Sequence, residues 1–152
     1  MKVAIVISSN GLISRELLNV AEYTIGCIGN ALSIGFHPDE SLEALFVRYK
    51  TALQELDVRN GILFLVESGS SCHQFVASCL AREYPGSHIV TGVNLPMLLS
   101  LFVSEINETN SMLLASRALE YGKEAISIVQ ERKMEQLAEA CEAKNTTVEF
   151  VV

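Results

Sequence analysis

The stretch Val3-Ala4-Ile5-Val6-Ile7 is apolar at every position, and so is the "ILFLV" core of Gly61–Glu67. A strand with one solvated face alternates in polarity, so unbroken runs mark strands covered on both faces. Lys2–Ile7 and Gly61–Glu67 are therefore read as the first and third strands, with Ala31–Phe36 as the second and His88–Asn94 as the fourth. Helical patterns separate them. Strict alternation of this kind points to an α/β fold: a doubly wound four-stranded parallel sheet with helices on both faces and right-handed crossovers. The common strand order, 2-1-3-4, makes the chain leap back over its first strand. A crevice then opens between the carboxyl ends of strands one and three, where α/β proteins keep their sites.

The helices are legible by spacing. Leu12–Ile25 follows the first strand, with Leu12, Ile13, Leu17 and Leu18 recurring at helical intervals. In "DESLEALFVRYKTALQEL", Leu42, Leu45, Phe46, Tyr49, Leu53 and Leu56 share one face, and Asp39 or Ser41 is placed to cap it after Pro38. A third helix carries Phe75, Val76, Cys79 and Leu80, and a fourth begins at Pro96, a favoured first-turn position. From about Asn110 a long pattern runs past Gly122 toward Ala143. The terminal "TTVEFVV" is a short strand candidate whose exposed edge would invite pairing with another chain, so exchange across a dimer is expected. No repeat or linker divides the chain. Residues 1–130 form one α/β domain in this reading, with 131–152 as its helical extension and tail strand.

Composition narrows the function classes. The 152 residues are 49% hydrophobic, enough for one substantial core, and carry a net charge of −7. Lys and Arg are scattered, with no stripe to neutralise phosphates, so no nucleic-acid partner is expected. The apolar stretch near Leu95–Val103 is broken by Ser100 and too short to span a bilayer, and Met1-Lys2 leads straight into a strand. Direct membrane insertion and a signal peptide are not expected. Cys27, Cys72, Cys79 and Cys141 show neither CxxC pairs nor a disulfide framework, which suits a reduced, cytoplasmic protein. His37, His73 and His88 lack ligand spacing and no glycine-rich nucleotide motif is present, so neither metal nor cofactor is expected.

Four strings, "VAIVISSNG", "AEYTIG", "GILFLVES" and above all "GVNLPML" at Gly92–Leu98, carry a resemblance over residues 1–130. The chain resembles the IIA components of the mannose/fructose family of the bacterial phosphoenolpyruvate-dependent sugar phosphotransferase system. The resemblance implies a homodimer with an exchanged carboxyl-terminal strand. It also implies a phosphoryl relay from the phosphocarrier HPr to a IIB component during carbohydrate uptake. The family's acceptor is a histidine in a Thr/Ser-His-Gly corner after strand one; here the corner reads Ser9-Asn10-Gly11. Imidazole offers a localised lone pair, whereas an amide nitrogen is delocalised into its carbonyl and is no nucleophile at neutral pH. Glu67 stands where the family carries an orienting Asp, one methylene longer, and "SGSSCHQF" replaces a Gly-Gly-Ser-Pro-like turn.

Ser9, Gly11, Ser68, Ser70 and Ser71, with the following helix's amino terminus, suit an anion, so the pocket is expected to hold phosphate. Asn10 has a plain structural role available, capping the first helix. Glu67 is either the orienting carboxylate or simply an acceptor of backbone hydrogen bonds. Two readings of His73 stand: a substitute acceptor on the crevice side with Cys72 beside it, or a solvent-facing loop histidine next to a small buried thiol. His37 is read as polar surface beyond the switch-point strands, His88 as lying at the opposite rim, and Asn94 as fixing the turn into the fourth helix. Three functions follow: a IIA-type phosphotransferase using another acceptor, a non-catalytic module of the same fold that docks HPr, IIB or a regulator, and a small-anion sensor.

Overall fold

Backbone pairing, not side-chain polarity, sets where the first strand ends. In the computed structural model, which describes residues 2–105 and 107–128, strand β1 spans Ala4–Asn10 and runs on through the three polar residues. Ser8, Ser9 and Asn10 pair in register with Ile34, Gly35 and Phe36 of β2 (Ala31–Phe36), and Ser8 also pairs with Val66 of β3 (Ile62–Val66). Asn10 is therefore the last residue of a strand rather than part of a loop. With β4 (His88–Thr91) the sheet is all-parallel in the order β2-β1-β3-β4, as the alternation predicts.

Side chains on alternate strand positions feed two cores. Val3, Ile5, Ile7, Leu63 and Leu65 face one side. They pack there against α1 (Ile13–Ile25), α4 (Leu95–Ser104) and α5 (Ser111–Glu124). Ala4, Val6, Ile62, Phe64 and Val66 face the other side, against α2 (Leu42–Leu53) and α3 (Ser71–Glu83). Every residue of β3 is fully buried, the two-faced coverage its unbroken apolar run requires.

Helix starts follow the capping chemistry. Ser41 Oγ accepts the Ala44 N–H at 3.1 Å, and Asn94 Oδ1 accepts that of Met97 at 3.0 Å, one residue ahead of a first turn containing Pro96. Asn110 Oδ1 accepts from Met112 and Leu113 at 3.0 and 3.1 Å. Three expectations change. Leu12 and Ile13 lie 58% and 49% exposed, and α1 buries Ser14, Leu18 and Ala21 instead. β4 stops at Thr91, where Gly92 turns the chain and donates to the Val66 carbonyl at 2.8 Å. The helix expected to run toward Ala143 ends at Glu124, and the next residues include exposed, β-branched Ile126 and Ile128, which favour helix weakly without a surface to pack on. The expected extension and exchanged tail strand of 131–152 lie outside the described residues. Among the described residues no helix is long and apolar enough to cross a membrane.

A candidate site where β1 and β3 end

The reversal of direction after β2 leaves β1 and β3 as neighbours, and their carboxyl ends meet. The Glu67 N–H donates to the Ser8 carbonyl at 2.8 Å, bringing the glutamate beside residue 10. One carboxylate oxygen, Oε2, then accepts both the backbone N–H of Asn10 and the hydroxyl of Ser70, each at 2.9 Å. Glu67 thus grips the backbone of position 10, whatever side chain stands there. Ser70 precedes α3, and its side chain makes no cap bond but donates to Glu67.

Asn10 does not cap α1. That role falls to Ser9, whose Oγ accepts the Ser14 N–H at 2.7 Å from a fully buried position. Residues along a strand alternate faces, so Ser9 points back toward α1 while Asn10 points away. The Asn10 side chain is exposed and makes no hydrogen bond among the described residues. The corner is held tightly from β2. Gly11 takes φ +60°, and a Cβ on Gly35 would sit 2.2 Å from the Gly11 carbonyl oxygen, so glycine alone permits that approach.

The five residues expected to cradle phosphate divide. Gly11, Ser68 and Ser71 are exposed around Asn10. Ser9 and Ser70 are buried, and a ligand would have to displace the bonds their hydroxyls already make. The Ser71 N–H is likewise occupied by the Gly69 carbonyl at 3.0 Å. Two depressions flank the corner. A cavity of about 470 Å³ is lined by Glu67, Ser68, Gly92, Val93, Asn94 and Pro96, with Ala125 and Ile126. An apolar one of about 380 Å³ is lined by Leu12, Ile13, Leu17, Val20 and Leu95, with Glu16.

His73 is neither crevice-side nor solvent-facing. It is fully buried in the first turn of α3, with Nδ1 2.7 Å from the Tyr49 hydroxyl and its ring edge-on to Phe36. Among the described residues its Nε2 has no partner in hydrogen-bond geometry. Burial holds the imidazole below its ordinary pKa, and the positive charge of Arg48 acts in the same sense; the nearby Ser9 carbonyl, Glu40 and Glu67 oppose. Cys72 beside it is half-buried. His88 lies at the amino end of β4, its Nδ1 3.0 Å from Ser111 Oγ, on the rim away from the corner. Among the described residues no three His, Cys, Asp or Glu side chains gather as metal ligands.

Sequence reasoning missed two residues. Asn10 pairs with Phe36, and the Gly11 N–H donates to the Phe36 carbonyl at 3.0 Å, so exposed His37 follows directly at the same corner. It is anchored there by Glu40, whose carboxylate holds Arg48 at 2.6 Å while Arg48 donates to the Gly35 carbonyl. The available signal was that parallel strands end on a common edge. Tyr49, read as one more apolar contact of its helix, instead brings a hydroxyl to His73.

A parallel sheet in the order β2-β1-β3-β4, reversing direction between β1 and β3, defines a doubly wound domain of the switch-point class. Residues 4–118 match the family model described as the PTS system fructose IIA component. The chain belongs to that family. It is 31% identical over 140 residues to the mannose-specific EIIAB component of the PTS of Escherichia coli K12, covering 92% of this chain and 43% of that protein. It therefore spans less than half the length of the curated relatives it matches. Among solved structures, it is similar to a mannose/sorbose-specific IIA subunit of the phosphotransferase system from Enterococcus faecalis. The TM-score is 0.76 at 22% identity, covering 86% of this chain and 96% of that one. It is also similar to the phosphotransferase system component EIIA from Streptococcus agalactiae, with TM-score 0.72 at 22% identity over 83% and 96%. At such identities these structures speak to fold alone.

Proposed function

We propose that this chain is a IIA-fold module of a sugar phosphotransferase system that docks HPr and a IIB component but takes no phosphoryl group at position 10. The observation that carries this reading is the exposed Asn10 amide, standing where the resemblance places the acceptor. An amide nitrogen has no free lone pair to attack phosphorus, so transfer by that route stops altogether. The neighbouring carboxylate oxygen is already shared by a backbone N–H and a hydroxyl. Docking is supported by the exposed Leu12, Ile13 and Val20 beside the corner, an apolar surface of the kind partners cover. Dimerisation through the exchanged tail belongs to the same reading, supported by β4 standing at the sheet edge among the described residues.

A second reading keeps phosphoryl transfer and moves the acceptor to His37. The register supports it, since His37 is the histidine at this edge with solvent access. Its backbone lies one strand spacing, ~4.8 Å, from β1. Titrating HPr into the labelled protein tests the docking, with shifts expected at Asn10, Gly11, Leu12 and Ser68. Absence of binding would contradict both readings. Exposure to phosphoenolpyruvate, enzyme I and HPr followed by peptide mapping separates them: no phosphoryl group supports the first, phosphorylated His37 the second. Phosphorylated His73 would contradict both.

A further inference from the structure

His73 is built into the support of the corner more deeply than a packing residue needs to be. Its ring meets α2 through the Tyr49 hydroxyl, 2.7 Å from Nδ1, and β2 through Phe36, 6.1 Å between ring centroids. It meets β1 near the Ser9 carbonyl and the buried Ser8 hydroxyl, and among the described residues neither Nε2 nor that hydroxyl has a partner in good hydrogen-bond geometry. Each of these contacts leads to the corner. The Phe36 carbonyl holds the Gly11 N–H, and Ser9 directly precedes Asn10. Ser70, one helical turn before His73, closes on the carboxylate that holds the Asn10 N–H.

We propose that His73 is a proton-responsive strut behind the corner: neutral, it locks β1, β2, α2 and α3 beneath Asn10, and protonated, it loosens Ser9–Gly11 and the first turn of α3. The neutral ring satisfies Nδ1 through Tyr49 in either tautomer, the phenol donating or accepting. A proton taken from solvent onto the remaining bare nitrogen makes both nitrogens donors. Where Nδ1–H donates to Tyr49, that nitrogen is Nε2, and the new N–H needs an acceptor in a buried pocket where the Ser9 carbonyl is close but outside hydrogen-bond geometry. Where Tyr49 donates instead, the proton goes to Nδ1, and the phenol must turn to accept while the buried ring gains a charge. An unmatched buried cation is resolved by local opening.

The groups facing the ring fix the sign. Arg48 on α2 opposes protonation, and Tyr49 on α2 stays a neutral phenol because burial pushes its pKa up. The Ser9 carbonyl on β1, Glu40 before α2 and Glu67 after β3 favour it, while Ser8 on β1 and Phe36 on β2 bring no charge to the ring. Burial outweighs the Ser9 carbonyl and the two carboxylates, so the strut is neutral at neutral pH and releases under acid. The device does not depend on which partner docks.

The test is a pH titration of the full chain by NMR, following the His73 ring and the amides of Ser9, Asn10, Gly11 and Ser70. His73 should titrate below the ordinary imidazole range, with those amides sharing its midpoint. In His73→Phe, which keeps an aromatic ring in the pocket, the shared inflection should vanish while the spectrum stays dispersed. His73→Gln provides the same comparison if the phenylalanine variant does not fold. Titration of His73 in the ordinary range, corner amides following another midpoint, or an inflection surviving in the variant would overturn the proposal.

Discussion

Residue 10 is held by its backbone, and this separates the geometry of the corner from its chemistry. Glu67 and Phe36 fasten the N–H groups of Asn10 and Gly11, and neither bond involves the amide side chain. Replacing Asn10 should leave the fold intact, whereas small changes around it should not. Gly35→Ala would drive a Cβ against the Gly11 carbonyl and is expected to cost about 1–3 kcal/mol of stability, read from urea denaturation. Ser70→Ala removes a hydrogen bond to a half-buried carboxylate and should cost about 1 kcal/mol in the same measurement. Asn10 itself shows what a sequence conceals at this scale. Its identity announced the missing nucleophile, but the sequence pattern assigned the capping of α1 to Asn10, whereas the Ser14 N–H bonds to Ser9. Only the alternation of faces along β1 decides that Ser9 turns inward.

At the level of elements, local chemistry was legible where it is local. Ser41 and Asn94 mark helix starts by accepting an N–H three residues on, Pro96 by a fixed φ and a missing N–H that the first turn does not use, and the structure uses all three. Asn94→Ala is expected to cost about 1 kcal/mol through the lost cap, and comparison with Asn94→Ser, a residue that can still cap, checks that the cap is the cause. Non-local facts were hidden. Leu12 and Ile13 fit a helical period but have no layer above them, so the same spacing that signals a core face leaves them exposed beside the corner. His73 looked exposed because it follows a polar turn. Its burial depends on Tyr49 and Phe36, far away in sequence, meeting behind β1.

Across the whole molecule, two unbroken apolar strands and their alternation with helices were enough to give the strand order, because few topologies satisfy right-handed crossovers. The order in turn placed Asn10 against Glu67 before any side chain was seen. What it could not place was the edge neighbour, since His37 reaches the corner only through the β1–β2 register. Global stability should also carry the imprint of the buried imidazole. Because burial keeps His73 neutral in the fold, the unfolded chain binds its proton first as pH falls through about 6.5. Its contribution is complete above that value and lost as pH drops through the lower folded-state pKa. Urea midpoints should therefore fall more steeply between about pH 7.5 and pH 5 in the native chain than in His73→Phe. Equal slopes would contradict it.

The most direct measurement restores the missing group. Native chain and Asn10→His are each incubated with phosphoenolpyruvate, enzyme I and HPr, and the phosphorylated residue is mapped by mass. A corner that has kept the acceptor's place but lost its nucleophile predicts a phosphoryl group on residue 10 of the variant and none on residue 10 of the native chain. A variant that stays unmodified while HPr is phosphorylated would show that this corner is not an acceptor site.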